Sequence, residues 1–145
     1  LDREGFEKRI CTYKIRSVLN LRGFSKSSWY SDEMAVMREF GITHFDYKFS
    51  ATRLVPTAEL LNILKIIDQA PKPILIHCHG GADRTGLVSA ITRLAFEKTT
   101  IQEAKKELSL RYGHFPYLLW RDARAMDESF DSFTQDNYAM NLIIK

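Results

Sequence analysis

The segment from Ile74 to Gly86 constrains the fold of this chain more than any other part of its sequence. It begins with the apolar run ILIHC, which is typical of a central strand in a parallel sheet. Two glycines, Gly80 and Gly81, follow this run and permit tight turns. A helix is predicted from Thr85, where apolar residues begin to recur with helical spacing. The segment therefore predicts a buried strand that enters a helix through a glycine-rich loop.

Strands and helices alternate along the rest of the chain. Two other strands are predicted: Ile15 to Leu21, which contains β-branched residues, and Ile42 to Phe49, in which apolar and polar residues alternate. Such alternation favours parallel strands joined by right-handed crossovers. The sequence therefore predicts an α/β fold with a central, mostly parallel sheet flanked by helices. Ligands of such sheets bind beyond the carboxyl ends of the strands.

The remaining segments have helical patterns. Helices are predicted at 1–14, 28–40, 56–69 and 85–97, from 100 onward, and beyond 116. Trp29 and Phe40 are expected on the buried face of the second helix, and the third is apolar over most of its circumference. Thr100 and Glu103 form a capping box at the start of the fifth helix, where Ile101 is expected to face inward.

Composition excludes several classes of protein. The 145 residues are close to average in apolar and charged content, so a single domain over residues 1–145 is expected. The 21 Lys and Arg against 18 Asp and Glu are scattered, which argues against a nucleic-acid binder. The apolar runs are far shorter than the roughly 20 residues that span a bilayer, so no transmembrane segment is expected.

Two cysteines, Cys11 and Cys78, are too few for a disulfide framework. Cys11 is expected to be a small buried hydrophobe, because cysteine is among the most buried residue types. The surroundings of Cys78 point to another use. Backbone N–H groups of the glycine-rich loop can converge on one anion, and the helix start adds unpaired N–H groups. The same donors favour a thiolate, and Arg84 can clamp two anion oxygens with its planar fork. This arrangement predicts a phosphate site with a nucleophile at its floor.

The loop carries the motif H-C-x-x-G-x-x-R-T-G, formed by His77, Cys78, Gly81, Arg84, Thr85 and Gly86. It resembles the signature of the cysteine-dependent protein tyrosine and dual-specificity phosphatases. The GADRTG variant is similar to that of the bacterial dual-specificity-like subgroup. The resemblance extends to Ile15–Gly23 and most of the chain, and it implies a phosphotyrosine phosphatase II-like fold. Relatives usually carry a short strand ahead of the first helix, so it also implies a short segment before Leu1.

The resemblance implies hydrolysis of phosphomonoesters in two displacements, without a metal or other cofactor. Cys78 would attack phosphorus and form a phosphocysteine, and Arg84 would stabilise the equatorial oxygens. Thr85 would hydrogen-bond Cys78 and help it leave. His77 would brace the loop and Gly86 would support it. The phosphate-binding residues implied by the resemblance are His79, Gly80, Gly81, Ala82, Asp83 and Arg84.

The general acid is the point at which the chain departs from the family pattern. Relatives place an aspartic acid in a loop that corresponds to Ser50–Arg53 here, and this loop has no carboxylate. Asp83, inside the signature loop, and Asp46, on the second strand, are the two candidates to protonate the leaving group. Asp83 is slightly favoured, although shaping the loop is an almost equally good reason for its presence.

Three functions fit these residues. The leading one is a phosphatase for phosphotyrosine, and for phosphoserine or phosphothreonine as well, in phosphorylated proteins. The second is an inositol-phosphate or phosphoinositide phosphatase, suggested by Asp83, although the signature loop lacks the lysine frequent in lipid-type relatives. The third is a non-catalytic phosphate-binding module, against which the intact Cys78 and Arg84 argue. A reactive thiol without disulfides favours the cytoplasm, with export left open. The sequence predicts no oligomeric state.

Overall fold

A computed structural model of the chain describes residues 3–50, 53–78, 83–106 and 121–144. The chain forms two compact units, which are described separately. Unit 1 comprises Leu1–Lys48 and Ile66–His77, and unit 2 comprises Phe49–Lys65 and Cys78–Lys145. No helix within the described ranges is long and apolar enough to cross a membrane.

Unit 1 contains a three-stranded parallel sheet, which confirms the predicted α/β class. The strand order is β2-β1-β3, and the strands are β1 (Ser17–Asn20), β2 (Thr43–Asp46) and β3 (Ile74–His77). Asn20 lies opposite Asp46 on one side and opposite His77 on the other. The carboxyl ends of all three strands therefore meet at one edge of the sheet.

The strands are shorter than the apolar patterns predicted. Single backbone bonds continue past their ends, for example from the Leu21 N–H to the His77 carbonyl oxygen at 2.9 Å. All four residues of β1 are buried, whereas those of β3 are only half-buried. The expectation of a central strand at β3 is therefore wrong for the described sheet. β1 is central because it pairs on both sides, and β3 pairs with β1 alone.

Two helices complete unit 1: α1 (Arg3–Tyr13) and α2 (Ser28–Phe40). As predicted, α2 ends at Gly41, whose φ of 66° is the left-handed conformation that glycine adopts freely. The helices pack on the sheet around a cluster formed by Phe6, Ile10, Ile15, Val18, Val36 and Met37.

Three expectations about side chains in unit 1 are wrong. Cys11 is exposed, because it lies one position, about 100° around the helix, beyond the buried Ile10. Phe40 is 38% exposed, since it is the last residue of α2 and lies past the core cluster. Trp29 is half-buried near the opposite end of the same helix.

The third helix, α3 (Thr57–Gln69), buries one face rather than most of its circumference. Leu60, Ile63, Leu64 and Ile67 are buried, whereas Leu61 and Ile66 are half-buried. The excess of apolar residues in its sequence therefore overstates its burial.

Unit 2 is helical in the part that the structure describes beyond Cys78. Its helices there are α4 (Asp83–Phe96), α5 (Ile101–Lys105), α6 (Arg121–Gln135) and α7 (Asn137–Ile144). Its core combines the buried face of α4 with that of α6 and one residue of α7: Leu87, Val88, Ala90, Ile91, Leu94, Ala95, Met126, Phe130, Phe133 and Ala139. The predicted helical C-terminal third is confirmed for residues 121–144, with a break at Asp136, which caps α7 by accepting from the Ala139 N–H at 3.0 Å.

The predicted cap of α5 is also present. The Thr100 hydroxyl oxygen accepts a hydrogen bond from the Glu103 N–H at 3.1 Å. Ile101, however, is 39% exposed. The expectation that it faces inward is wrong, because this five-residue helix buries only Ala104.

Candidate active site

Cys78 follows the last residue of β3, and α4 begins five residues later, at Asp83. The Thr85 Oγ1 hydroxyl donates a hydrogen bond to Cys78 Sγ at 3.0 Å, and the pair is partly buried. The first turn of α4 thus holds the cysteine side chain across the loop. His79, Gly80, Gly81 and Ala82, to which the resemblance assigns phosphate binding, lie outside the described residues.

Arg84 occupies the first turn of α4 with its side chain partly buried. Its Nη1 donates to the Phe49 carbonyl oxygen at 3.4 Å. Among the contacts of the described residues, this one uses a single N–H of the guanidinium, which has five N–H donors in all. Gly86, in the same turn, is buried. The backbone of Asp83 is helical here, as the first residue of α4.

The segment that follows β2 is held at both ends within unit 2. Arg84 binds the carbonyl oxygen of Phe49 at its start. At its end, the Val55 N–H donates to the Ser129 Oγ at 2.7 Å, in a buried contact with α6. Arg53, between these anchors, is exposed. The segment has fixed ends, but its sequence offers no carboxylate for proton transfer.

A buried carboxylate lies in unit 1 beside the residue that precedes Cys78. The Glu33 side chain has no exposed surface. Its Oε2 lies 2.6 Å from His44 Nε2, and His77 Nε2 lies 3.0 Å from Oε1 and 3.1 Å from Oε2. Burial raises the pKa of Glu33, but the hydrogen bonds and charges of the two imidazoles outweigh it and lower the pKa to about 2. Glu33 is therefore an ionised acceptor for both rings.

Asp46 belongs to a second polar group at the same edge of the sheet in unit 1. Its Oδ1 accepts from Asn20 Nδ2 at 3.0 Å, and its Oδ2 accepts from the Tyr30 hydroxyl. Burial, the hydrogen bond to Asp46 and the charges of Asp46 and Glu33 raise the pKa of Tyr30 to about 12. Asn20 also donates to the Gly23 carbonyl oxygen at 3.0 Å. Asp46 thus accepts a hydrogen bond from each of two neighbouring side chains, Asn20 and Tyr30, and holds them in place.

Sequence reasoning missed Glu33, Tyr30 and Asn20. Glu33 stands three and four residues before the buried Val36 and Met37, so helical spacing placed it on the buried face. Asn20 is a polar residue between the apolar Leu19 and Leu21 of the predicted strand. Both signals were present in the sequence, but neither names the partner, because the partners come from other elements.

Within the described ranges, no group of three or more His, Cys, Asp or Glu side chains is arranged to hold a metal ion. The polar clusters of unit 1 consist instead of direct hydrogen bonds between side chains, as at Glu33 and Asp46.

A family model described as the tyrosine phosphatase family matches residues 43–103, the stretch that contains Cys78, Arg84 and Thr85. The fold is similar to that of TpbA from P. aeruginosa, with a TM-score of 0.71 and 20% identity over 98% of this chain and 80% of that chain. The chain therefore has the fold of these phosphatases. This likeness confirms the predicted fold, and the match to the family model supports the predicted superfamily.

Two further structures share the fold. One is a cysteine-to-serine variant of P. aeruginosa TpbA in complex with pTyr, with a TM-score of 0.67 and 19% identity over 94% of this chain and 83% of that chain. The other is the kinase associated phosphatase KAP with its catalytic-site cysteine changed to serine. Its TM-score is 0.65, with 19% identity over 92% of this chain and 78% of that chain. No curated protein sequence matches the chain. The match to the tyrosine phosphatase family model supports the predicted enzyme class, a cysteine-based phosphatase, and it does not favour the two other functions considered from sequence.

Proposed function

We propose that this phosphatase hydrolyses phosphotyrosine in proteins, and phosphoserine or phosphothreonine as well, through a phosphocysteine on Cys78. The observation that carries the proposal is the 3.0 Å hydrogen bond from the Thr85 hydroxyl to Cys78 Sγ at the start of α4. A structural cysteine needs no such donor, whereas a thiolate nucleophile and leaving group does. The pTyr bound to the TpbA variant supports the choice of substrate.

In the first displacement, the Cys78 thiolate attacks phosphorus. The S–P bond forms as the P–O bond to the substrate breaks, and the leaving oxygen takes a proton from a general acid. Arg84 stabilises the equatorial oxygens through the N–H groups that Phe49 does not use. In the second displacement, a water molecule attacks phosphorus and gives a proton to the deprotonated general acid, and the S–P bond breaks to release inorganic phosphate. Thr85 then stabilises the departing thiolate through the contact that it already makes.

Asp83 is our proposed general acid. Asp46, the other candidate, accepts hydrogen bonds at both carboxylate oxygens, from Asn20 and Tyr30. A general acid must instead carry a proton and donate it. Asp83→Asn should therefore remove the basic limb of the kcat–pH profile, whereas Asp46→Asn should keep that limb. Loss of the limb in Asp46→Asn alone would reverse the assignment.

The activity is tested with p-nitrophenyl phosphate at mildly acidic pH. Cys78→Ser and Arg84→Ala should each lower kcat by at least about 10²-fold, because each removes a group that acts in the transition state. Cys11→Ser is the matched control, since Cys11 is exposed on α1 and should leave turnover unchanged. Full activity in Cys78→Ser would contradict the proposed chemistry.

The substrate class is tested with a panel of phosphotyrosine, phosphoserine and phosphothreonine peptides beside inositol phosphates. We expect phosphotyrosine peptides to give the highest kcat/KM. If an inositol phosphate were hydrolysed faster, the proposed substrate class would be wrong, but the proposed role of Cys78 would stand. A free thiol persists most readily in a reducing compartment, so we also propose a cytoplasmic location.

A further inference from the structure

Glu33 is a buried charged residue of unit 1 that the proposed reaction does not use. Its side chain has no exposed surface, and it projects from α2 toward β2 and β3, where His44 and His77 meet it. A buried carboxylate is costly unless it is hydrogen-bonded, and helix packing by itself would be served better by an apolar residue. We therefore look for the role of Glu33 in its contacts with His44 and His77.

Both imidazoles face Glu33 with the same ring nitrogen, Nε2. Since an ionised carboxylate only accepts hydrogen bonds, each Nε2 must carry a hydrogen. Glu33 thereby selects the tautomer of neutral His77 in which Nδ1 is the acceptor, and it fixes the orientation of the ring. The edge-on contact of the ring with Phe6, at 5.3 Å between centroids, limits the ring from a second direction.

His77 is the last residue of β3 and is bonded directly to Cys78 in the chain. Its backbone carbonyl oxygen accepts from the Leu21 N–H at 2.9 Å, so main chain and side chain are both held. A displacement of His77 would move the backbone that leads directly into Cys78. The side-chain contact with Glu33 is therefore placed to control the backbone that delivers the cysteine.

We propose that Glu33 is a positioning residue for Cys78. Its carboxylate holds the His77 ring through Nε2, and His77 in turn sets the course of the chain into the signature loop. The effect on turnover rests on the proposed phosphatase function. The effect on the His77 ring and on the reactivity of the Cys78 thiol does not.

The test compares Glu33→Gln with Glu39→Gln. Both changes remove one negative charge from α2, but Glu39 is 53% exposed and pairs only with Arg3 in the described contacts. We expect Glu33→Gln to lower kcat for p-nitrophenyl phosphate at least about tenfold with KM within about threefold, and Glu39→Gln to change neither. In ¹⁵N NMR spectra of the imidazoles, Glu33→Gln should alter the Nε2 signal of His77, because both rings share the Oε2 oxygen and a neutral amide oxygen is a weaker acceptor than a carboxylate oxygen.

Equal kcat in the two variants, with both folded, would overturn the proposal. So would an unchanged His77 signal in Glu33→Gln, since the contact would then not govern the ring. A loss of thermal stability with unchanged kcat would show that Glu33 is structural only.

A second pair of variants covers the case in which Glu33→Gln fails to fold. Glutamine at position 77 places an amide N–H near the position of Nε2, whereas asparagine is too short to reach it. His77→Gln should therefore retain at least about fivefold more activity than His77→Asn. The reverse order would contradict the role of the Glu33 contact.

Failure of the phosphatase proposal is recognised separately, by measuring alkylation of Cys78 with iodoacetamide in a Cys11→Ser background. If the wild type turned over no phosphoester, the activity proposal would fail. Slower alkylation of Cys78 in Glu33→Gln than in Glu39→Gln, by at least about fivefold, would still support positioning by Glu33. Equal alkylation rates would reject it.

Discussion

The two units differ in what they bury. Unit 1 has an apolar cluster between its helices and sheet, but it also buries Ser17, Asn20 and Glu33. In unit 2, Ser129 is the one buried polar residue among those that the structure describes with side chains. Specific hydrogen bonds between buried side chains therefore contribute to the stability of unit 1, whereas unit 2 is stabilised mainly by apolar packing.

This difference matters for the chemistry because the signature motif crosses from one unit to the other. His77 ends unit 1, and Cys78 begins the second segment of unit 2. Cys78, the proposed nucleophile, and Thr85 belong to an apolar, helical unit, whereas His77, the residue before Cys78, belongs to a charged network. Substitutions in the core of unit 2 should thus affect stability with little dependence on pH, and substitutions in the network of unit 1 should affect its response to acid.

The largest expected effect concerns the apolar core of unit 2. Phe130 is fully buried on α6, and Phe130→Ala should lower the free energy of unfolding by about 3–5 kcal/mol, from lost burial and the cavity left behind. Urea unfolding near neutral pH measures this change in the free energy of unfolding. Phe96→Ala is the control, because Phe96 is 45% exposed at the end of α4. Equal losses in both variants would break the contrast between the units.

A smaller effect, confined to acid, is expected from Glu33. Its pKa is lowered to about 2 in the folded state, so the unfolded state binds more protons below the ordinary pKa of glutamate. Stability from this group is complete above that ordinary value and is lost as pH falls through the folded pKa. Between about pH 6 and pH 3, Glu33 should account for a loss of about 2 kcal/mol.

The stability of Glu33→Gln, compared at the same two pH values, tests this prediction more closely. The variant should be less stable near neutral pH, and its stability should fall less steeply toward acid than that of the wild type in urea titrations at the two pH values. Glu39→Gln should keep the steep wild-type dependence. If the stability of Glu33→Gln fell as steeply toward acid as that of the wild type, a group other than Glu33 would cause the acid sensitivity.

Thr85 gives a still smaller effect, on rate rather than stability. Thr85→Ala removes the hydroxyl that contacts Cys78 and should slow breakdown of the phosphocysteine about tenfold, or about 1.4 kcal/mol. A burst of p-nitrophenol before the steady state measures accumulation of the intermediate. Thr92→Ala, in the same helix, removes a hydroxyl bonded to the Val88 carbonyl oxygen instead and should show no burst.

The smallest expected effect is at the cap of α5 in unit 2. Thr100→Ala leaves the Glu103 N–H without its acceptor and should lower the free energy of unfolding by about 1 kcal/mol. Thr100→Ser keeps the acceptor and should restore most of this difference in thermal unfolding. A loss in Thr100→Ser equal to that in Thr100→Ala would assign the effect to the methyl group.

Much of this architecture could be predicted because it depends on local sequence. Gly41 ends α2 through its own backbone freedom, and Thr100 caps α5 through a contact three residues away. The succession of apolar strand, glycine-rich loop and helix start around Cys78 is equally local. It predicted both the parallel α/β fold and the phosphatase motif.

Some of the misjudged features depend on partners distant in the sequence, and others on the position of a residue around or along its own helix. Glu33 is stabilised by His44 and His77, which come from two different strands, so α2 alone could place it on the buried face but could not identify its partners. The apolar run of β3 suggested a central strand, but pairing decides which strand is central. Cys11 followed the statistics of its residue type, whereas its place on α1 exposes it.

The central claim is that Cys78 carries the phosphoryl group during turnover. Acid quenching of the enzyme within the first turnover, followed by peptide mass spectrometry, detects the intermediate directly. Slowing its breakdown with Thr85→Ala makes it easier to trap. We predict one phosphoryl group on the peptide that contains Cys78, and none in Cys78→Ser. Phosphoryl transfer to another residue, or undiminished turnover in Cys78→Ser, would contradict the account.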